Sequence, residues 1–324
     1  MSTQVAKLNV RISRKTEEAQ DICMLELASL DGAALPGFSA GSHVDVFLPN
    51  GLVRQYSLCN HPQETDRYQI AVLRCEDSRG GSAAVHELLK EGDTLSISAP
   101  RNNFALQHEA HKHLLLAGGI GITPLLSMAE RLNTLGADFE MHYAARSEQR
   151  MAFVRRIRDS AYASHVRFYC DDDKAAGELK LSEVLAAHDA GTHLYVCGPG
   201  GFMNAVLEKA RELGWSEDCL HREFFTVDAP QVQDGDQAFE VQLASTGQLI
   251  QIPVGVSIIH ALEKVGVEIP YSCEQGVCGT CLTRVLEGTP DHRDIYLTEA
   301  EQACNDQFTP CCSRSRSARL VLDL

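Results

Sequence analysis

Tyr271-Ser272-Cys273-Glu274-Gln275-Gly276-Val277-Cys278-Gly279-Thr280-Cys281 is the stretch from which this chain is best read. Its cysteines stand as C-x4-C-x2-C, and Cys311 follows Cys281 after a further 29 residues. This is the plant-type ligand spacing of a [2Fe–2S] cluster, with the fourth thiolate arriving from further along the chain. Structural zinc also takes four thiolates, but it usually takes them from paired C-x2–4-C knuckles. Here three candidate ligands crowd one loop and the fourth comes alone. Gly276 and Gly279 lie between them, where side chains would obstruct backbone N–H groups turning toward bridging sulfides. Cys311 and Cys312 are adjacent and only one is required. Cys304 is a weaker candidate, better read as an ordinary thiol.

Working outward, 324 residues exceed one ordinary core and suit two or three domains. Hydrophobic content of 44% with 23% charged residues is that of a globular protein in water. No apolar run reaches membrane-span length, and the first residues lack the apolar core of a secretory signal. With 12 cysteines mostly scattered, a reducing cytoplasm is the expected location. The net charge of −15 argues against nucleic acid as a partner.

The chain divides into segments by rhythm. Residues 1–106 carry short apolar runs at 5–13, 21–27, 43–48, 54–58, 68–73 and 94–98, with one helix near 82–89. That pattern predicts a closed antiparallel β-barrel. Residues 107–226 alternate buried strands (113–117, 139–144, 166–169, 193–197) with helices, the mark of an α/β parallel sheet. Residues 227–236 read as a polar linker. Residues 237–324 combine strands at 239–243 and 249–253, a helix at 257–265, the cysteine loop and a last strand at 320–324. The basic residues of 313–319 read as a solvated strand edge.

Each segment holds candidate binding residues. Arg54-Gln55-Tyr56-Ser57 on a barrel strand offers a guanidinium for phosphate, an aromatic ring to flank a planar cofactor and a hydroxyl for its edge. Arg79-Gly80-Gly81-Ser82 precedes the barrel helix, whose start favours an anion; Ser82 is equally a plain helix cap. Gly118-Gly119-Ile120-Gly121-Ile122-Thr123-Pro124 follows the first α/β strand and lets a pyrophosphate approach backbone, without being the strict G-x-G-x-x-G fingerprint. Cys197-Gly198-Pro199 ends a buried strand at the edge where such sheets bind ligands. Glu223-Phe224-Phe225 offers a carboxylate and aromatic rings. Asp171-Asp172-Asp173 follows another strand and would accept ribose hydroxyls while repelling a 2′-phosphate, whereas Arg146 and Arg150 would favour that phosphate. His108, His111 and His113 make no trustworthy metal pattern.

In this order the motifs resemble the ferredoxin–NAD(P)+ reductase superfamily, and within it the phthalate dioxygenase reductase and vanillate O-demethylase reductase group. The likeness covers essentially the whole chain, including the ending Cys311-Cys312-Ser313-Arg314 through Leu320-Val321-Leu322-Asp323-Leu324. It implies a multidomain fold: an antiparallel β-barrel for flavin, an α/β domain for nicotinamide and a β-grasp plant-type ferredoxin domain. It implies that Arg54, Gln55, Tyr56 and Ser57 bind flavin, with Gly80, Gly81 and Ser82 near its phosphate. Gly119, Gly121 and Thr123 would lie by the nucleotide and the flavin, and Asp171 by the adenosine ribose. Cys197, Gly198 and Pro199 would position nicotinamide, and Phe225 would shield the flavin. Ser57, Thr123, Cys197 and Phe225 would line the site of hydride transfer. The resemblance favours Cys311 as fourth ligand beside Cys273, Cys278 and Cys281. FMN rather than FAD, and NADH, are its expected cofactors. It implies a monomeric electron-transfer reductase feeding a Rieske non-haem iron oxygenase in aromatic catabolism, with a di-iron or other monooxygenase as the alternative acceptor.

Overall fold

The computed structural model describes residues 7–76, 80–172, 177–225 and 232–324. Arg79, Asp173 and the first part of the expected linker lie outside the described residues. The chain forms two compact units, Met1–Phe225 and Thr226–Leu324.

In the first unit, β1 (Lys7–Ala19), β2 (Ile22–Ser29), β3 (His43–Phe47), β4 (Val53–Ser57), β5 (Arg67–Leu73) and β6 (Thr94–Ser98) form an antiparallel sheet ordered β4-β3-β6-β1-β2-β5. A bridge from Leu58 to Ile70 joins the two edge strands and closes the barrel. Its filling follows the two-residue strand period: Val10, Ile12, Leu25, Leu27, Val44 and Val46 point inward. β1 runs further than the apolar pattern of 5–13 predicts. Its second half is charged and only half-buried, and pairing with β2 holds it extended through two register shifts. The helix α1 (Gly81–Glu87) starts after Gly80, which takes a left-handed φ of 87°. Ser82 is therefore already inside the helix and is not its cap; its hydroxyl instead accepts the Cys75 N–H at 3.2 Å. At the other end the Lys15 ammonium donates to the carbonyls of Val85, His86 and Leu89 at 2.9, 2.7 and 2.7 Å.

The same unit continues into a parallel sheet ordered β11-β10-β7-β8-β9. Its strands are β7 (Lys112–Gly118), β8 (Asp138–Ala145), β9 (Val166–Cys170), β10 (Thr192–Cys197) and β11 (Leu220–Glu223). Both faces are covered, which is why its strands read as unbroken apolar runs. Leu115, Ala117, Tyr143 and Tyr195 pack beneath α2 (Ile122–Leu135). Leu114, Leu116, Leu194 and Val196 pack against the helix Gly200–Glu212 on the opposite face. The first of these cores also takes in Ile22, Met24, Cys59, Ala71 and Phe104, residues outside the barrel's own filling, so the outside of the barrel packs against the sheet's core.

The second unit is a mixed sheet ordered β13-β12-β18-β14-β16. It contains β12 (Phe239–Leu243), β13 (Leu249–Ile252), β14 (Thr283–Glu287), β16 (Gln307–Phe308) and β18 (Arg319–Leu322), while β15 (Pro290–Asp291) and β17 (Arg314–Ser315) form a separate two-stranded pair. β12 and β18 are parallel neighbours and the remaining pairs antiparallel. The helix Ile258–Glu263, capped by Ser257, buries Ile258, Ile259 and Leu262 against this sheet to make a β-grasp. The basic run is a solvated edge at Arg316 and Arg319, which are exposed, but not at Arg314. Arg314 is buried and donates to the carbonyls of Val256, Gln237 and Pro253 at 3.2, 3.0 and 3.3 Å. Asp236, at the end of the expected linker, is ion-paired with Arg293 in this unit. Among the described residues no helix is long and apolar enough to cross a membrane.

Candidate functional site

The cysteine loop precedes β14, and Cys311 and Cys312 follow β16, so adjacent strands carry the two arms toward each other. Cys278, Cys281 and Cys311 are buried and Cys273 is partly so. Their sulfurs run as a chain of contacts: Cys273 touches Cys278 and Cys311, and Cys311 touches Cys281. Hydrogen bonds from Cys278 and Cys311 hold the Cys273 thiol well below the usual range, and those two donors are pushed up in turn. Among the described residues no group of three or more His, Cys, Asp or Glu closes around a single ion. Three thiols from one loop and one from the end of a neighbouring strand are the donor set that a plant-type [2Fe–2S] core takes. The loop also fits closely. A Cβ on Gly276 (φ 71°) would stand 2.5 Å from Cys312 Sγ, and its carbonyl accepts Ile295 N–H and Tyr296 N–H, both at 3.1 Å. Cys304 is exposed on the helix Glu299–Cys304 and is not among the touching sulfurs.

In the first unit Arg54, Gln55, Tyr56 and Ser57 lie along β4. Arg54 crosses directly over Gly81, where an added Cβ would meet its Nε at 2.7 Å. The strand and the Gly80-Gly81-Ser82 turn therefore come together, as an anion-binding corner requires. Gln55 faces away and donates to Asp45 Oδ1 at 2.9 Å. Tyr56 packs on the barrel core, and burial pushes its phenol up.

Across from this strand lies the carboxyl edge of the parallel sheet. Gly119 and Gly121 form the turn into α2, and Thr123 is buried with its hydroxyl donating to Ile120 O at 3.0 Å. This turn interlocks with Cys197-Gly198-Pro199: a Cβ on Gly121 would stand 2.2 Å from Cys197 O, and one on Gly198 would stand 2.9 Å from Gly118 Cα. Cys197 is fully buried, and burial beside Glu223 raises its thiol far above the ordinary value. The barrel and the sheet meet where Ser57 Oγ donates to Glu223 Oε2 at 2.8 Å. Burial pushes the Glu223 carboxyl up to about 7, against the opposing effect of that hydrogen bond. The sequence offered Glu223 only as one of three terminal residues, because its partner lies 166 positions away. Phe225 ends the described part of this unit and is 36% exposed.

Asp171 is exposed at the end of β9, its N–H donating to Ala145 O, and Asp172 N–H donates to Arg146 O. The acidic pair and Arg146 thus sit side by side, while Arg150 is turned toward Asp21 at 3.1 Å. A separate charged pocket on the sheet face is lined by Lys112, Glu140, His142, Arg167, Tyr169 and Lys180. It lies nearer the strand starts, and its lysines are paired with Glu140 and Glu183, so it has no part in this site.

Comparison with known proteins gives the following likenesses. The family described as "Dimethylamine monooxygenase subunit DmmA-like, N-terminal domain" matches residues 97–220, and "2Fe-2S iron-sulfur cluster binding domain" matches residues 241–316. The chain is 57% identical over 311 residues to a vanillate O-demethylase oxidoreductase of Pseudomonas putida, covering 96% of this chain and 98% of the relative. It is 40% identical to a phthalate 4,5-dioxygenase oxygenase reductase subunit of Pseudomonas putida, covering 97% and 96%. Among solved structures it matches phthalate dioxygenase reductase with a TM-score of 0.76 at 37% identity, covering 98% of both chains. It also matches an intact type IV self-sufficient cytochrome P450 monooxygenase with a TM-score of 0.87 at 36% identity, spanning 41% of that longer chain. A barrel and parallel sheet meeting at Ser57 and Glu223, followed by a four-cysteine β-grasp unit, are thus accounted for together: the chain is an oxidoreductase of the modular electron-transfer reductase family that includes vanillate O-demethylase oxidoreductase and phthalate dioxygenase reductase.

Proposed function

We propose that this chain is the NADH-dependent reductase component of a two-component Rieske-type oxygenase acting as an aromatic O-demethylase. The observation that carries this reading is the near full-length 57% identity to a vanillate O-demethylase oxidoreductase. When bound, flavin would accept one electron pair as a hydride and a [2Fe–2S] cluster would pass electrons one at a time. The chain's own groups hold these partners in place. Arg54 with the Gly80-Gly81-Ser82 turn would take the flavin phosphate, which suits FMN, and Tyr56 would flank the ring. Ser57 and Glu223 would hold a proton at the flavin edge, since a carboxyl near 7 exists in both forms at neutral pH. The interlocked turns at Gly121 and Cys197-Gly198-Pro199, with Thr123 and Phe225, would shape the nicotinamide slot, and proximity rather than acid–base chemistry would carry the hydride step. Asp171 would select NADH. Cys273, Cys278, Cys281 and Cys311 would ligate the cluster.

The same reading takes residues 1–106, 107–226 and 237–324 as flavin, nicotinamide and ferredoxin domains, with 227–236 as linker. It takes the protein as a cytoplasmic monomer that docks transiently on its oxygenase. The test is reconstitution. Purified protein should bind FMN, bleach its flavin and cluster bands with NADH under anaerobic conditions, and support formaldehyde release from vanillate with a Rieske O-demethylase oxygenase. Bleaching without turnover by any Rieske partner would move the assignment to a di-iron or other monooxygenase. That second reading is favoured by the dimethylamine monooxygenase-type match and by 42% identity to a tert-butanol monooxygenase / tert-amyl alcohol desaturase reductase subunit of Aquincola tertiaricarbonis.

A further inference from the structure

We propose that Tyr296 covers the cluster centre: its ring lies across Gly279, keeps water from the Cys278-Gly279-Thr280-Cys281 turn, and thereby lowers the reduction potential of the cluster and slows its loss. The inference rests on the ligand reading above. Two of the assigned ligands, Cys278 and Cys281, bracket this turn, and Gly279 between them takes a left-handed φ of 66°. A Cβ there would overlap Cζ and Cε2 of Tyr296 and stand 2.7 Å from Cε1, so the phenol end of the ring fills the room that a side chain at 279 would take. Tyr296 is held in place by its own segment. Ile295 N–H and Tyr296 N–H donate to Gly276 O, both at 3.1 Å. Leu297 N–H donates to Asp294 Oδ2 at 2.8 Å, and Gln302 Nε2 donates to Asp294 O at 3.1 Å. A Cβ on Gly276 would stand 2.8 Å from both Cα and Cβ of Asp294. The segment 294–296 thus runs along the cysteine loop, laying Asp294 on its first glycine and Tyr296 on its second. Asp294 and Leu297 are buried, while Tyr296 between them is half-buried.

The two glycines therefore have a use beyond freeing backbone N–H groups: they admit this segment close to the ligand turn. The shell around a metal centre controls the water that reaches it, and with it the potential. Water favours the more negative, reduced cluster, so a ring that excludes water makes reduction harder. It also hinders the approach of water and chelators to iron. This role asks nothing of the hydroxyl, so phenylalanine should serve as well as tyrosine and alanine should not.

The experiment uses the full chain loaded with flavin and cluster, and compares wild type with Tyr296→Phe, Tyr296→Leu and Tyr296→Ala. Iron and acid-labile sulfide are measured first. The cluster midpoint then comes from dye-mediated titration followed by electron paramagnetic resonance, and cluster loss from the rate of iron transfer to a chelator. Tyr296→Ala should raise the reduction equilibrium constant about tenfold, which is about 59 mV for one electron, and speed iron transfer by about the same factor. Tyr296→Phe should match wild type in both readouts. Tyr296→Leu should fall between them, and it carries the comparison if the alanine variant does not load iron. Adding Gly279→Ala should harm iron loading less in the Tyr296→Ala background than in wild type, because the ring it would strike is gone. Leucine and alanine variants with wild-type potential and iron transfer overturn the proposal. A phenylalanine variant that behaves like alanine also overturns it, by giving the effect to the hydroxyl and not the ring. Absence of iron and sulfide from the wild type would instead defeat the ligand reading itself.

Discussion

Glu223 carries a strongly shifted carboxyl where the barrel and the parallel sheet meet, and it makes a pH prediction. Its carboxyl rises from the ordinary 4.5 to about 7 on folding, because burial disfavours the charged form. The native state therefore holds a proton that the unfolded chain has released between those values. Stability contributed by the neutral acid is complete below pH 4.5 and is lost as pH rises toward 7. The loss amounts to about 3 kcal/mol by linkage. Glu223→Gln should flatten this slope, so urea midpoints at pH 5 and pH 8 should converge relative to wild type; an unchanged difference would sink the assignment. Gly121 gives a second residue-scale prediction. Its missing Cβ would stand 2.2 Å from backbone that has no room to yield, so Gly121→Ala should destabilise the first unit by about 1–3 kcal/mol and impair flavin reduction by NADH. Retention of wild-type stability and KM for NADH would refute the interlock. Motif glycines of this kind were legible in the sequence. The bond from Ser57 to Glu223 was not, because no local pattern records which distant strand end a hydroxyl will face.

Among the elements, α1 is short and would be marginal alone. Its left-handed Gly80 supplies the sharp entry, and the Lys15 ammonium closes its other end on three carbonyls. A cation there also complements the helix dipole. Lys15→Met should cost about 1–2 kcal/mol and weaken flavin retention, measured as flavin fluorescence released on dilution; unchanged retention would show that the turn needs no such brace. Strand positions were largely readable from apolar alternation, since β6 and β12 lie where the pattern puts them. β1 was read too short because its second half is held by pairing and not by burial. The helix Glu299–Cys304 left no apolar stripe to read, and its capping box, with Thr298 and Glu301 bonded reciprocally, was the available signal.

At the scale of the whole molecule, two compact units predict two separable unfolding events. Arg314 belongs to one alone: it is buried in the second unit and bonded to three carbonyls there. Arg314→Met should lower only the transition that bleaches cluster absorbance, by about 3 kcal/mol, and leave flavin release unmoved. A shift of both transitions together would argue against independent units. The fold class was legible because rhythm and motif order change at the same places. The burial of Arg314 was not, since an Arg within a Ser/Arg run has the composition of a surface.

The placement of the sulfurs has a topological consequence. Three cysteines precede β14 and Cys311 follows β16, so any group binding all of them ties together positions 273 and 311, separated by 311 − 273 = 38 residues. In chain-entropy terms that is a cross-link whose closure removes about 4 kcal/mol of disorder from the unfolded ensemble. Iron loading would then act on the second unit as a staple does on a small secreted domain. Iron-free protein should be nicked by protease between these positions well before the loaded form, while residues 1–225 resist equally in both.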